Sequence, residues 1–145
     1  IHPHKLELIE NNLSRLGVTH TTVMLNDATS LRDEFKDNFD RVLADVPCSG
    51  LGVLRRKPDI KWTKTQEDNN TLTKIQRSII DNSALYVKRG GKLLYSTCTV
   101  NKAENEDNVK YFLEKHSDFN LVLQRQLLPD KDKTDGFFFA VFERT

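Results

Sequence analysis

The chain has 145 residues, 37% hydrophobic and 30% charged, with 22 basic against 21 acidic side chains and a formal charge of +1. That is the size of one domain, able to bury a core without disulfides or metals, and its balanced charge excludes a global positive field, leaving only local patches to attract a polyanion. Two cysteines, Cys48 and Cys98, are too few for a secreted disulfide framework and fit a reducing, cytoplasmic setting, while no signal peptide is recognisable and no apolar run approaches the roughly 20 residues that span a bilayer.

Leu6, Ile9, Leu13 and Leu16 are spaced by three and four, one face of a helix with Pro3 near its start and Gly17 as its stop. The chain enters this pattern directly from Ile1 without an initiator methionine, which reads as the interior of a domain. Thr21 to Leu25 is a short β-prone run ending at Asn26-Asp27, and a helical turn from Leu31 to Phe35 follows. Phe39 to Asp45 reads as a strand buried on both faces, ending in Asp45-Val46-Pro47-Cys48-Ser49-Gly50. A loop rich in Arg, Lys, Pro and Gly spans Leu51 to Thr65. A long helix is then expected over Gln66 to Lys88, with Leu72, Ile75, Ile79 and Tyr86 on its apolar side and Gly90-Gly91 as its C-cap. Lys92 to Thr97 is a third strand, delivering Cys98 at its carboxyl end. Asn101 and Glu104 suggest a capping box for a helix through His116. Two β-prone runs, Phe119 to Leu123 and Phe137 to Phe142, close the chain; the second follows the turn signal Asp135-Gly136.

Strands alternating with helices predict an α/β, Rossmann-like fold with a mostly parallel sheet and an antiparallel pair at its C-terminal edge. Ligands of such sheets bind beyond the carboxyl ends of the strands, where Asp27, the Asp45–Cys48 turn and Cys98 all fall. If the strands ending at Asp45 and Thr97 are neighbours, about 4.8 Å apart, both cysteines open onto one crevice beside a carboxylate. A free cysteine is most often a small buried hydrophobe. Two of them at strand ends among small polar residues shift the balance towards chemistry. No second Cys or His stands at zinc-ligand spacing, so no metal is expected, and there is no Cys-x-x-Cys redox pair.

Asp45-Val46-Pro47-Cys48-Ser49-Gly50-Leu51-Gly52 with Arg55-Arg56-Lys57-Pro58-Asp59-Ile60-Lys61-Trp62, then Tyr95-Ser96-Thr97-Cys98-Thr99-Val100 with Glu104-Asn105-Glu106, then Leu128-Pro129 and Asp135 to Ala140, resemble in order the signatures of the RNA cytosine-5 methyltransferases. The likeness is to the Sun/Fmu, RsmB-like branch that modifies small-subunit ribosomal RNA, and it runs from Lys5 to the end. It implies that residues 1–145 are part of an S-adenosylmethionine-dependent class I methyltransferase domain, with the first strands, the glycine-rich cofactor loop and an RNA-binding domain lying outside this stretch. The resemblance further implies that this stretch alone is inactive, with an exposed sheet edge that invites pairing with another chain.

By resemblance Cys98 is the nucleophile, adding to carbon 6 of cytosine so that carbon 5 can accept a methyl group. Asp45 would hold the base through N3 and the exocyclic amine. Cys48 would assist loss of the carbon-5 proton and release of Cys98. Asp27, with Asp45 and Pro47, falls at the family's cofactor positions. Arg55, Arg56, Lys57, Lys61, Trp62 and Lys64 form the candidate RNA contact, cations for phosphates and an aromatic for a base; a solvated basic loop is the bland alternative. Phe137 and Phe138 would line the base pocket unless they are core. Transfer RNA as substrate, a non-catalytic RNA-binding or ribosome-assembly module, and a thiol-redox protein are the competing readings.

Overall fold

The helix expected from the leucine spacing runs over Pro3–Arg15 (α1) in the computed structural model, which describes residues 2–63 and 66–145, with the backbone alone for Lys61, Thr63 and 66–69. Pro3 occupies the first turn, where its missing N–H costs nothing. Gly17, at φ +68°, ends the helix: Val18 N–H donates to the Leu13 carbonyl at 2.9 Å and Gly17 N–H to that of Ser14 at 3.1 Å, a Schellman closure. Among the described residues nothing buries the α1 stripe. The run from Thr21 to Leu25 is not a strand. Its side chains suit a sheet, but β propensity is realised only against a neighbouring strand, and no described strand lies beside it. The turn that follows is a 3-10 helix over Asp33–Phe35, pinned where Arg32 N–H donates to the Tyr86 hydroxyl at 3.0 Å.

Among the described residues four strands, β1 (Phe39–Asp45), β2 (Val87–Thr97), β3 (Phe119–Leu127) and β4 (Phe137–Arg144), form one sheet in the order β1-β2-β4-β3. β1 and β2 run parallel, joined through α2 (Ile60–Thr63) and the long α3 (Gln66–Tyr86) as a parallel crossover requires. β4 lies antiparallel to both β2 and β3, so the expected antiparallel C-terminal pair sits at the sheet edge. The fold is α/β, with one parallel and two antiparallel pairings among the described strands. α4 (Glu106–Lys115) links β2 to β3, and a short α5 (Pro129–Asp132) links β3 to β4.

Register decides which side chains share a face. Ala44, Tyr95 and Ala140 stand in one row and Asp45, Ser96 and Phe139 in the next, on opposite faces. α3 and α4 cover the first face, and the core forms there from Ile80, Ala84, Leu93, Tyr95, Phe112, Phe138 and Phe142. Arg41, Leu43 and Asp45 on the other face are exposed. β1 is thus buried on one side rather than two, because no described helix packs on its second face.

Helix α3 ends at Tyr86, earlier than Gly90-Gly91 suggested, and β2 starts at once. The glycines sit in a bulge: Phe39 pairs with Val87 but Arg41 pairs with Lys92. A Cβ on Gly91 would come within 2.8 Å of the Lys88 carbonyl and 3.0 Å of that of Asp40, so the fold-back requires glycine there. The inward face of α3 carries Gln76, Ile80, Ser83 and Ala84, while Leu72, Ile75 and Ile79 are only half-buried. Two of those buried residues are polar, which hides the face from a hydropathy pattern.

Phe112 of α4 is the pivot of the distal core, wholly buried with ring centroids 4.4 Å from Phe142 and 5.2 Å from Phe119. Phe112→Ala is expected to destabilise the protein by about 3–5 kcal/mol, read as a lowered urea midpoint with unchanged slope.

Candidate active site

Parallel pairing brings the carboxyl ends of β1 and β2 side by side, with Val46 N–H donating to the Ser96 carbonyl at 3.2 Å. Each strand continues into a turn that carries one cysteine. Cys48 and Cys98, fifty residues apart, meet with their sulfurs 3.0 Å from each other, and both remain free thiols. The Cys98 N–H also donates to the Cys48 sulfur at 3.3 Å. Burial, and then the adjacent Cys98 sulfur, push the Cys48 thiol up to about 12. Cys48 therefore keeps its proton at neutral pH and can offer it as a hydrogen bond to its neighbour.

Asp45 stands at the end of β1 on the open face, where the Ser96 hydroxyl donates to its Oδ1 at 2.9 Å. Ser96 is nearly fully buried and escaped the sequence reading; its place opposite Asp45 follows only from the register. The pair opens on a cavity of about 470 Å³ walled by Leu43, Leu94, Phe137 and Phe139. Phe137 thus faces the site, whereas Phe138 is 1% exposed and belongs to the core.

The two cysteine turns are clasped from below. Glu104 is wholly buried; its Oε1 accepts from the Ser49 hydroxyl at 2.6 Å and Asn101 Nδ2 at 3.0 Å, and its Oε2 from Ser49 N–H at 2.9 Å and Gln76 Nε2 at 2.8 Å. It is not the back-bonding partner of a capping box: α4 begins later, at Glu106, and the carboxylate turns inward towards the Cys48 turn. Tyr95, held protonated by burial, donates to the Glu104 carbonyl at 2.6 Å. A second clasp is made of backbone alone. Gly52 N–H donates to the Cys98 carbonyl at 3.0 Å, and Gly136 N–H to the Gly52 carbonyl at 2.9 Å. A Cβ on Gly52 would lie 1.9 Å from the Gly136 oxygen, so no other residue fits.

The remaining expected residues lie around this centre. Asp27 is exposed; its Oδ1 accepts from both Thr29 N–H at 2.9 Å and the Thr29 hydroxyl at 2.7 Å, which hold its carboxyl below the ordinary range. Asn82 Nδ2 fixes this turn to α3 through the Ala28 carbonyl at 2.9 Å. No contact joins Asp27 to Asp45 or the cysteines among the described residues. The Pro47 carbonyl accepts from Gln76 Nε2 at 2.9 Å, leaving the exposed ring as the part of Pro47 that faces outward. Arg55 and Arg56 are exposed, Arg56 pairing with Asp135 at 2.8 Å, and together with Lys133 they line one polar recess. Trp62 is 81% exposed. The Lys61 side chain and Lys64 lie outside the described residues. Among the described residues no group of three or more His, Cys, Asp or Glu side chains is placed to hold a metal ion.

The family model for 16S rRNA methyltransferase RsmB/F matches residues 1–143. The chain is 41% identical over 158 residues to the probable ribosomal RNA small subunit methyltransferase B of Bacillus subtilis, covering 97% of this chain and 35% of that protein. It is 40% identical over 147 residues to ribosomal RNA small subunit methyltransferase B of Vibrio cholerae, with 97% and 34% covered. Among solved structures, that of NSun6 from Pyrococcus horikoshii with SFG superposes with a TM-score of 0.87 at 30% identity, over 99% of this chain and 39% of that one. The chain thus spans about a third of the length of the curated relatives it matches. With the family model matching almost every residue and the thiol pair at the carboxyl ends of the parallel strands, the chain belongs to the 16S rRNA methyltransferase RsmB/F family.

Proposed function

We propose that the full-length protein is an S-adenosylmethionine-dependent methyltransferase acting on carbon 5 of a cytosine in small-subunit ribosomal RNA, with covalent catalysis through Cys98. The observation that carries this reading is the pair of sulfurs 3.0 Å apart beside Asp45. Cytosine carbon 5 is a poor nucleophile. Addition of a thiolate at carbon 6 pushes electron density on to carbon 5 and negative charge on to N3, which splits one hard step into two easier ones. Asp45, oriented by Ser96, shares a proton with N3 and accepts from the exocyclic amine, offsetting that charge as it develops.

The two cysteines are assigned different roles by the motifs that carry them, and the raised Cys48 pKa agrees with that assignment. A thiol pushed up to about 12 is almost never ionised at neutral pH and so makes a poor attacking group. It is well suited to hydrogen-bond to the sulfur beside it. Cys98, by its place in the Thr97-Cys98-Thr99 signature, is the attacking group; Cys48 steadies the Cys98 sulfur as its bond to carbon 6 breaks and assists the loss of the carbon-5 proton, which passes to water.

The neighbour solved with SFG supports a cofactor of the S-adenosylmethionine type. The residues present suit such a group: Asp27 leaves Oδ2 outside its Thr29 turn as an acceptor, and the exposed Pro47 ring is an apolar wall. When bound, S-adenosylmethionine supplies the electrophilic methyl group. Asp27, Asp45 and Pro47 would hold this chain's share of it. RNA would meet the loop carrying Arg55, Arg56, Lys61 and Trp62, with the cations on phosphates and the indole against a base. The relatives' names favour small-subunit ribosomal RNA over transfer RNA as the substrate.

Incubating the full-length protein with its RNA and S-adenosylmethionine should give a covalent protein–RNA band on a denaturing gel that accumulates in Cys48→Ala and is absent in Cys98→Ala. A band that survives Cys98→Ala would reverse the two roles. The absence of any band from every version, with cofactor binding intact, would leave an RNA-binding module instead. The thiol state gives a second expectation. Burial, the largest cause of the raised Cys48 pKa, persists in Cys98→Ala, so iodoacetamide labelling of Cys48 in that variant should still be rising past about pH 8.5, where an ordinary thiol begins to level off; levelling at that pH would refute the assignment. Trp62→Ala should weaken RNA binding by about 1–3 kcal/mol, measured by filter binding, without changing affinity for S-adenosylmethionine.

A further inference from the structure

We propose that the consecutive residues Glu104 and Asn105 are positioning residues that set the spacing of the Cys48 and Cys98 sulfurs, an inference that rests on the reading of those thiols as a cooperating pair. The hydrogen bonds show how. Ser49 follows Cys48 in sequence, and both its N–H and its hydroxyl end on the Glu104 carboxylate, at 2.9 and 2.6 Å. Pro47 precedes Cys48, and its carbonyl is held at 2.9 Å by the Gln76 amide that also donates to Glu104 at 2.8 Å. The Cys48 turn is therefore gripped on both sides of the cysteine.

Asn105 treats Cys98 in the same way. The Thr97 hydroxyl donates to Asn105 Oδ1 at 2.7 Å, and Asn105 Nδ2 donates to the Thr99 carbonyl at 3.0 Å. These are the residues immediately before and after Cys98. One bridge ties the two grips directly, the 2.8 Å hydrogen bond between the Ser49 and Thr99 hydroxyls. Because Glu104 and Asn105 share a peptide unit, the distance between the two grips is set by covalent geometry and not by the packing of two independent elements. Both residues are wholly buried.

Burying such a polar group is costly unless every donor and acceptor is met, and an apolar pair would fill the same volume at no such cost. What an apolar pair would lack is direction. A carboxylate that accepts four bonds and an amide that bridges two carbonyl and hydroxyl groups specify where each cysteine turn must sit. Neither residue touches the thiols themselves, so they act through the backbone that carries them.

The variants Glu104→Gln and Asn105→Asp test this in the full-length protein. Each is isosteric. The first sets an NH2 against donors that Glu104 now accepts from, and the second removes the donor to Thr99. Dibromobimane, which becomes fluorescent only after two neighbouring thiols have each displaced a bromide, reports the thiol spacing without RNA or cofactor. Both variants are expected to cross-link Cys48 to Cys98 more slowly, at temperatures well below their unfolding. With RNA and S-adenosylmethionine, the covalent adduct should persist and turnover should fall by about a hundredfold, the effect of moving reacting groups by about 1 Å. Unchanged cross-linking in folded variants that have merely lost stability would overturn the proposal. If Glu104→Gln does not fold, Ser49→Ala, which removes both the hydroxyl bridge to Thr99 and the hydroxyl bond to Glu104 while keeping the Ser49 N–H bond, should slow cross-linking in the same direction, and its failure to do so would also overturn it. Slower cross-linking with no adduct from any version, the unchanged protein included, would uphold the spacing role while refuting the covalent methyltransferase reading.

Discussion

Parallel pairing of β1 with β2, in the register that sets Asp45 opposite Ser96, is the constraint from which the site follows. Parallel neighbours end at the same edge of a sheet, so the two turns that leave them must share space, whatever the length of chain between. A shift of one residue would turn Asp45 to the helix-covered face and take Ser96 away from it. The register is held by the burial of Ala44, Leu93 and Tyr95 under α3, so apolar packing on one face dictates polar geometry on the other.

The ground beneath the thiols is polar, which is unusual for the heart of a small sheet. Gln76, Tyr95, Glu104, Asn105 and Asn108 are all buried and bonded to one another or to the cysteine turns. Such a network is tolerable only when complete, and its completeness gives rigidity. The site thus combines a rigid floor with an open side towards solvent, where Asp45 and Phe137 stand. Preorganisation of this kind suits chemistry in which charge appears briefly at one place and must find its partners already in position.

Much of this was legible in the residues, and the misses share a cause. Helix α1 followed from leucine spacing and a terminal glycine, β1, β2 and β4 from apolar runs, and the two cysteine turns from motifs whose strand-end placement the structure bears out. Signals that depend on a partner failed. Thr21 to Leu25 has strand-forming side chains but no neighbour among the described residues. Gly90-Gly91 has the composition of a helix stop, yet serves a bulge whose need for glycine comes from the Lys88 carbonyl within the fold-back and the Asp40 carbonyl across the sheet. Glu104 has the local look of an exposed helix start, and only the crossing of α3 over the sheet shows it to be buried. Ser96 and the Gly52–Gly136 contact likewise belong to register and loop meeting, which no linear pattern encodes.

The glycine contact has a mechanical meaning. Side chains can absorb a small displacement by changing rotamer, but backbone pressed on backbone has no such slack. From Gly136 through Gly52 to the Cys98 carbonyl, every link is main chain. Arg56 and Asp135, joined across the same two segments, sit at the outer end of that rod. The Cys98 carbonyl and the Arg56–Asp135 pair are thereby fixed relative to each other through main chain alone, with no rotamer between them to take up slack.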